Sequence, residues 1–421
     1  MKRTRIRFLG GTRGIGNISI MIQSDSEAVL LDYGTTPSNK FEKPKNPPST
    51  LIRSIILSHA HLDHSGAVPC LYKSVLRPAL ISTPLTMELA NLLIRDMVKI
   101  LRNDVPFTNL EINRMLSSFI PVNYGNAVKI GDNFIVTLFN AGHIPGSASI
   151  LVEIKGKKIW YTGDINLVET RLLRAAEILE SADIVIMETT YADKEHPNRR
   201  DEEKRFIRRI EEIIQDKGTI LIPAFSVGRS QEIITILYKN GYRGPLAIDG
   251  MAKTATEIIL RYPEYLKKPE DLEHAIRKVK WIKNRIERKK LLRKPGIIVA
   301  PAGMLGGGWS EWYLKHIYNG DRNAVFFVSF QILGTMGHQI LNERKFVIHG
   351  REYTVRAQVE QFEFSGHSGK SELLDIVRKL EKPERIFLIH GEEETINSFK
   401  EELIQMGLPV TDAEVGREYS F

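Results

Sequence analysis

Ser58-His59-Ala60-His61-Leu62-Asp63-His64 sets three imidazoles and a carboxylate within six residues, directly after the apolar run Ile55-Ile56-Leu57 and before Gly66. Such a run reads as a buried strand, so four potential ligands leave the end of a sheet together on one loop. Side chains two apart in an extended segment share a face, which lets His59 and His61 grip one cation from the same side. A turn through Leu62 then aims Asp63 and His64 at a second cation. A ligand set of His and Asp without sulfur is the one expected of zinc. A lone His at a strand end is more often a satisfied surface or core residue; the reading rests on the four occurring together.

The chain has 421 residues, enough for two or more domains, and its 42% hydrophobic and 26% charged residues are those of a globular protein. Lys plus Arg exceed Asp plus Glu by 59 to 51. Averaged along the chain, that excess is thin and favours a polyanionic partner only weakly. The single cysteine, Cys70, excludes an internal disulfide and a zinc ribbon. Met1-Lys2-Arg3-Thr4-Arg5 is basic like the start of a signal peptide, but Gly10, Gly11, Arg13 and Gly14 break the apolar stretch behind it. No window offers the roughly 18 apolar residues of a membrane span. A cytoplasmic protein without membrane contact is expected.

Short strands are expected around Phe8, Asn17–Ile22 and Ala28–Gly34, and a loop from Lys40 to Pro48. Gly11, Gly14 and Gly16 do not form a nucleotide loop, because a strand and not a helix follows them. Leu85, Leu89, Leu92, Leu93, Met97 and Ile100 recur at helical spacing between Pro84 and Leu101, a helix for packing. Acids and imidazoles then recur at strand exits: His143 after Phe134–Phe139, Asp164 after Lys158–Tyr161, Glu188 at the end of Ile184–Met187, His367 after Arg356–Phe364 and His390 after Arg385–Ile389.

Between residues 198 and 354 helices and strands alternate: helix Asp201–Lys217, strand Thr219–Phe225, helix Ser230–Tyr238, strand Leu246–Asp249, strand Gly296–Ala300, helix Ser310–Tyr318, strand Ala324–Phe330. Alternation of this kind implies parallel pairing through right-handed crossovers. Three loops rich in glycine follow those strands and carry Ser226, Arg229, Gly303, Ser329, Gln331, Gly334 and Thr335. Such loops either build tight turns or line a phosphate-binding groove; three in one domain favour the groove. Arg277 to Lys294, basic around Trp281 and Ile286, reads mostly as a solvated helix face, with RNA contact as the lesser reading.

His59-x-His61-x-Asp63-His64, followed in order by His143 and Asp164, resembles the signature of the metallo-β-lactamase superfamily. Glu188, His367 and His390 match the motifs of its β-CASP branch, most similar to archaeal relatives of the nuclease subunit of the cleavage and polyadenylation specificity factor. The resemblance implies an α/β fold, an αββα sandwich formed by residues 1–197 and 355–421, with a parallel α/β β-CASP domain inserted at 198–354. It implies the short form, without N-terminal KH-type RNA-binding domains, in which the groove between the domains holds the RNA.

It further implies two Zn2+ ions, one on His59, His61, His143 and Asp164 and the other on Asp63, His64, Asp164 and His390, with Asp164 bridging. Asp32 would orient the metal loop, and His367, held by Glu188, would protonate the leaving sugar oxygen. The expected activity is zinc-dependent hydrolysis of single-stranded RNA to 5′-phosphate and 3′-hydroxyl products, by a protein for which a homodimer is plausible by resemblance. Three rival readings are a small-ester or thioester hydrolase, which leaves the inserted domain idle; a non-catalytic RNA-binding subunit, which has no use for a complete ligand set; and a DNA nuclease, because phosphate contacts say little about the sugar.

Overall fold

A computed structural model of the chain describes residues 4–36, 40–74 and 77–421; the basic start at Met1–Arg3 lies outside the described residues. The chain forms two compact units, the first comprising residues 1–169, 175–195 and 367–421 and the second residues 170–174 and 196–366.

The first unit contains two seven-stranded sheets. One runs in the spatial order Glu418–Ser420, Thr4–Gly10, Ser19–Ser24, Glu27–Leu31, Ile52–Ile56, Ala79–Ser82, Phe119–Pro121. The other runs Val410–Thr411, Arg385–Ile389, Ile184–Glu188, Lys157–Tyr161, Ala148–Ile154, Phe134–Asn140, Ala127–Ile130. Alternate residues of each sheet meet in one core. Ile6, Phe8, Ile20, Ile22, Val29 and Leu31 of the first sheet pack with Phe134, Val136, Ile150, Val152, Ile159 and Ile186 of the second. The opposite face of the second sheet buries Trp160, Val185 and Met187 under the helices Lys370–Lys379 and Glu393–Gln405. Ile184–Glu188 pairs in parallel with strands on both sides and is buried at every position, which explains its unbroken apolar run.

The helix Pro84–Leu101 starts where the sequence predicts, with the Thr83 hydroxyl accepting from Thr86 N–H and Pro84 in the first turn. It buries Leu85, Leu89, Ile94 and Met97; Ile100 faces solvent at 70% exposure and is not part of the packing face.

The second unit is built on a six-stranded sheet in the order Lys280–Trp281, Leu246–Ile248, Gly296–Ala300, Thr219–Pro223, Ala324–Phe327, Gln358–Gln361, parallel throughout. Period-two alternation divides its apolar residues between two cores. Ile220, Ile222, Ile297, Val299 and Phe326 face one side, and Leu221, Ile298, Ala300, Val325 and Phe327 the other.

Both expected boundaries of the inserted segment shift. Gln358–Gln361 extends this sheet by pairing with Ala324–Phe327, so the chain returns to the first unit at His367 and not at 355. Residues 170–174 also belong to the second unit, because the backbone N–H groups of Arg171 and Leu172 donate to the buried Glu232 carboxylate (3.0 and 2.8 Å).

Candidate metal centre

All ten residues at which the sequence predicts metal ligation or proton transfer lie in the first unit: Asp32, His59, His61, Asp63, His64, His143, Asp164, Glu188, His367 and His390. The loop that follows Ile52–Ile56 is fixed from below by the turn after Glu27–Leu31. Tyr33 N–H donates to the His64 carbonyl (2.8 Å), Thr35 N–H to that of Leu62 (2.8 Å), and Ile18 N–H to that of Asp63 (3.1 Å). Gly34 allows this close approach, since a Cβ there would lie 1.6 Å from the Asp63 carbonyl oxygen.

Asp32, fully buried, accepts from Ser58 N–H and Ser58 Oγ–H (2.7 Å each), from the Tyr161 hydroxyl (2.8 Å) and from His64 Nδ1–H (2.8 Å). These bonds set the tautomers. Holding Nδ1–H on His64 leaves its Nε2 bare. Ser58, its proton given to Asp32, accepts from His59 Nδ1 (3.1 Å), which bares His59 Nε2 as well. At His390 the Thr190 hydroxyl donates to the backbone carbonyl (3.1 Å) and so accepts from Nδ1 (2.9 Å), leaving that Nε2 facing Asp63 Oδ2 at 3.4 Å.

Imidazole nitrogens converge on Asp164, and its two oxygens divide them. Oδ2 lies 3.4 Å from His59 Nε2 and 3.5 Å from His143 Nε2, with His61 Nδ1 3.1 Å from the latter. Oδ1 lies 3.3 Å from His64 Nε2 and 3.6 Å from His390 Nδ1. His59, His61, His143 and Asp164 thus form one cluster of potential ligands, and His64, Asp164 and His390 another, with Asp63 against His390. His59 Nε2, His64 Nε2 and Asp164 Oδ1 are buried and have no hydrogen-bond partner among the described residues. Lone pairs facing one another at this separation repel, and the donor set suits a cation between them.

Without such a cation, the same crowding moves the titrations. Burial works to push His61 down to about 4, with Asp63 and Asp164 opposing. His64 is also disfavoured as a cation by burial, but Asp164 and Asp32 lift it well above an ordinary imidazole. Burial by itself would raise Asp164, yet His390, His64 and His59 hold it well below the usual carboxylate range.

Next to the clusters stands a buried acid paired with an imidazole. Glu188, 1% exposed, accepts from the backbone N–H groups of Ile165 (2.8 Å) and Thr190 (3.2 Å), and its oxygens lie 2.9 and 3.1 Å from His367 Nδ1. Burial alone would lower His367; the Glu188 charge and hydrogen bond, joined by Asp164 and Asp63, carry it up to about 9.

Ser58, Tyr161 and Thr190 join these residues by hydrogen bonds, and the sequence gives no signal for any of them. Ser58 precedes the metal loop and Thr190 follows Glu188, but a hydroxyl at a strand exit is too common a feature to mark either.

The seven residues proposed for phosphate contact lie in the second unit, on loops that follow three adjacent strands of its sheet. Two of them have their donors engaged elsewhere. Gln331 Nε2 donates to the carbonyls of Gly303 (3.3 Å), Ser329 (3.0 Å) and Phe330 (3.1 Å), tying the loops together. The Thr335 hydroxyl donates to the Ile332 carbonyl (2.7 Å) and caps the helix Met336–Glu343. Both therefore shape the loops and do not present donors. Ser226, Gly303 and Ser329 are buried, Arg229 is half-buried and Gly334 is exposed.

Residues 28–213 match a beta-lactamase superfamily domain, residues 230–340 a Beta-Casp domain, and residues 352–411 a Zn-dependent metallo-hydrolase RNA specificity domain. A relative in Saccharolobus solfataricus, RNase aCSPSF2, is 35% identical over 99% of this chain and 85% of its own length. Transcription termination factor FttA of Methanocaldococcus jannaschii is 33% identical over 92% of this chain and 67% of its own. A solved structure of a protein of unknown function from Enterococcus faecalis V583 covers 100% of both chains with a TM-score of 0.63 at 16% identity, a likeness of fold.

Proposed function

We propose, from the premise that this chain belongs to the β-CASP branch of the metallo-β-lactamase superfamily, that it is a metal-dependent ribonuclease working with two zinc ions on single-stranded RNA. One observation carries the two-ion reading: the two oxygens of Asp164 face separate groups of imidazoles, His59 and His143 on one side and His64 and His390 on the other. His59, His61, His143 and Asp164 would hold one ion, and Asp63, His64, Asp164 and His390 the other. When bound, such a pair lowers the pKa of water and neutralises phosphodiester charge.

The chain's own residues supply the rest. Asp32, through Ser58 at His59 and directly at His64, engages the Nδ1 atoms and so turns Nε2 of both rings toward the clusters. Glu188 keeps His367 protonated near neutral pH, and the protonated ring donates to the departing 3′-oxygen as the P–O bond breaks. Asp164 and Asp63 favour that protonated ring by charge. Water attack on phosphorus leaves a 5′-phosphate and a 3′-hydroxyl.

The test is incubation with 5′-labelled and internally labelled RNA, with and without chelator, alongside elemental analysis of the protein. Chelator-sensitive cleavage to 5′-phosphate ends with close to two zinc ions per chain is expected. Thioester turnover without RNA cleavage would overturn the reading.

A further inference from the structure

Ten of the eighteen residues from Arg277 to Lys294 are Lys or Arg, and Glu287 is the single acid among them. That stretch has a net charge of +9 (ten minus one), while the chain as a whole has +8, so the remaining 403 residues sum to −1. The basic excess is not thin along the chain; it is gathered in one place.

That place is built to present it. The helix Arg285–Leu291 is capped by Asn284, whose side chain accepts from Glu287 N–H. It is fixed to the sheet by Arg288, the one cation of the stretch that turns inward. Arg288 Nε and a terminal nitrogen grip the fully buried Asp249 at 2.6 and 2.9 Å, the Tyr313 hydroxyl donates to the same carboxylate (2.9 Å), and the guanidinium lies 3.3 Å from the Trp309 ring centre. Lys253 Nζ ties down the Ile282 carbonyl at the helix entrance.

The other cations stay outside. Lys280, Lys283, Arg285, Lys289, Lys290 and Arg293 are exposed, and among the described residues none has an ion pair with an acid. Elsewhere in the same unit cations are paired, as in Arg171–Glu203, Arg205–Glu202, Lys239–Asp271 and Arg356–Asp321. Within the helix, Arg285 and Lys289 are spaced at i and i+4, a like-charge arrangement that weakens a helix when nothing neutralises it.

We propose that this ridge on the second unit is a docking surface for the sugar–phosphate backbone of single-stranded RNA, separate from the metal-ligating residues, all of which lie on the first unit. The proposal rests on the ribonuclease reading for the identity of its polyanion. A protein partner fits less well, because protein interfaces are depleted in lysine and this ridge is rich in it. Phosphates need only charge and counterion release.

The experiment replaces Lys283, Arg285, Lys289, Lys290 and Arg293 together by Gln in the metal-loaded protein, beside a charge-preserving variant with Lys283→Arg, Lys289→Arg and Lys290→Arg. Binding of a phosphorothioate RNA oligonucleotide is measured at 50 and 200 mM salt, and turnover of bis(4-nitrophenyl) phosphate reports the metal centre alone. Five lost contacts at about 0.7 counterions each should flatten the log Kd–log salt slope by up to about 3.5. The parent then loses up to about 100-fold more affinity between the two salts than the Gln variant does. At 50 mM the Gln variant should bind at least about tenfold more weakly, with phosphodiester turnover unchanged and the Arg variant equal to the parent. Affinity and slope equal to the parent's in the Gln variant would overturn the proposal. Loss of binding in a protein that cleaves no RNA would instead sustain the ridge and remove the ribonuclease reading.

Discussion

Replacing Glu188 by Gln tests how the buried acid and His367 work together. The exchange keeps shape and removes charge. Glu188 Oε1 accepts from Ile165 N–H and lies 2.9 Å from His367 Nδ1, while Oε2 accepts from Thr190 N–H and lies 3.1 Å from the same nitrogen. A glutamine can serve only one of these backbone donors with oxygen and must set its NH2 against the other, which costs roughly 1–3 kcal/mol of stability. The larger effect is on the imidazole. Moving it from 6.5 to about 9 corresponds to roughly 3 kcal/mol in favour of the protonated ring.

A general acid must hold its proton, so with a raised pKa the rate is maintained through neutral pH and falls as pH rises through that value. In Glu188→Gln the alkaline fall should move down by about two pH units, and cleavage at pH 8 should drop roughly 10- to 100-fold. Cations at the adjacent histidines shift both profiles to lower pH, because positive charge disfavours a protonated ring; the separation between the two profiles is the readout. The assay is initial-rate cleavage of labelled RNA from pH 5.5 to 10, with zinc content measured on the same samples. A Glu188→Gln profile that overlays the parent's at equal zinc content would refute the coupling.

His367→Ala should keep its metal and lose about 10²- to 10⁴-fold in cleavage; parental rates from the loaded variant would remove the ring from the mechanism. Asp63→Ala and His64→Ala should each lower zinc stoichiometry by elemental analysis, since each deletes a proposed ligand beside His390 and Asp164; unchanged content in both would contradict the assignment. Because Asp164 and Asp32 favour the protonated form of His64 where no cation is bound, a metal at Nε2 competes with a proton, and zinc affinity should weaken as pH falls; a pH-independent titration between pH 5 and 8 would count against it. Gly34→Ala places a methyl group 1.6 Å from the Asp63 carbonyl and should destabilise by more than about 4 kcal/mol or prevent folding; a melting temperature within a few degrees of the parent's would show that the turn yields.

The amino-acid sequence by itself determined the order of the chemistry. Strands are short apolar runs, loops follow them, and a His or acid at the exit of each strand is visible as residue type and position: His59 through His64, then His143, Asp164, Glu188, His367 and His390. The alternating texture of the inserted segment likewise announced a parallel sheet. What only the tertiary structure decided is how groups far apart in the chain face one another. His390 meets Asp63 across 327 positions and His367 meets Glu188 across 179; Ser58 and Thr190 set which nitrogens His59 and His390 present, and Tyr161 donates to the Asp32 carboxylate that holds His64. Gln331 and Thr335 looked like phosphate donors and were spent inside their own loops, and Gln358–Gln361 joined the second unit because its partner strand lay there. The physical reason is common to all of these. A sequence records which donors and acceptors a chain carries, and a hydrogen bond or an ion pair depends on distance and direction, which exist only after folding.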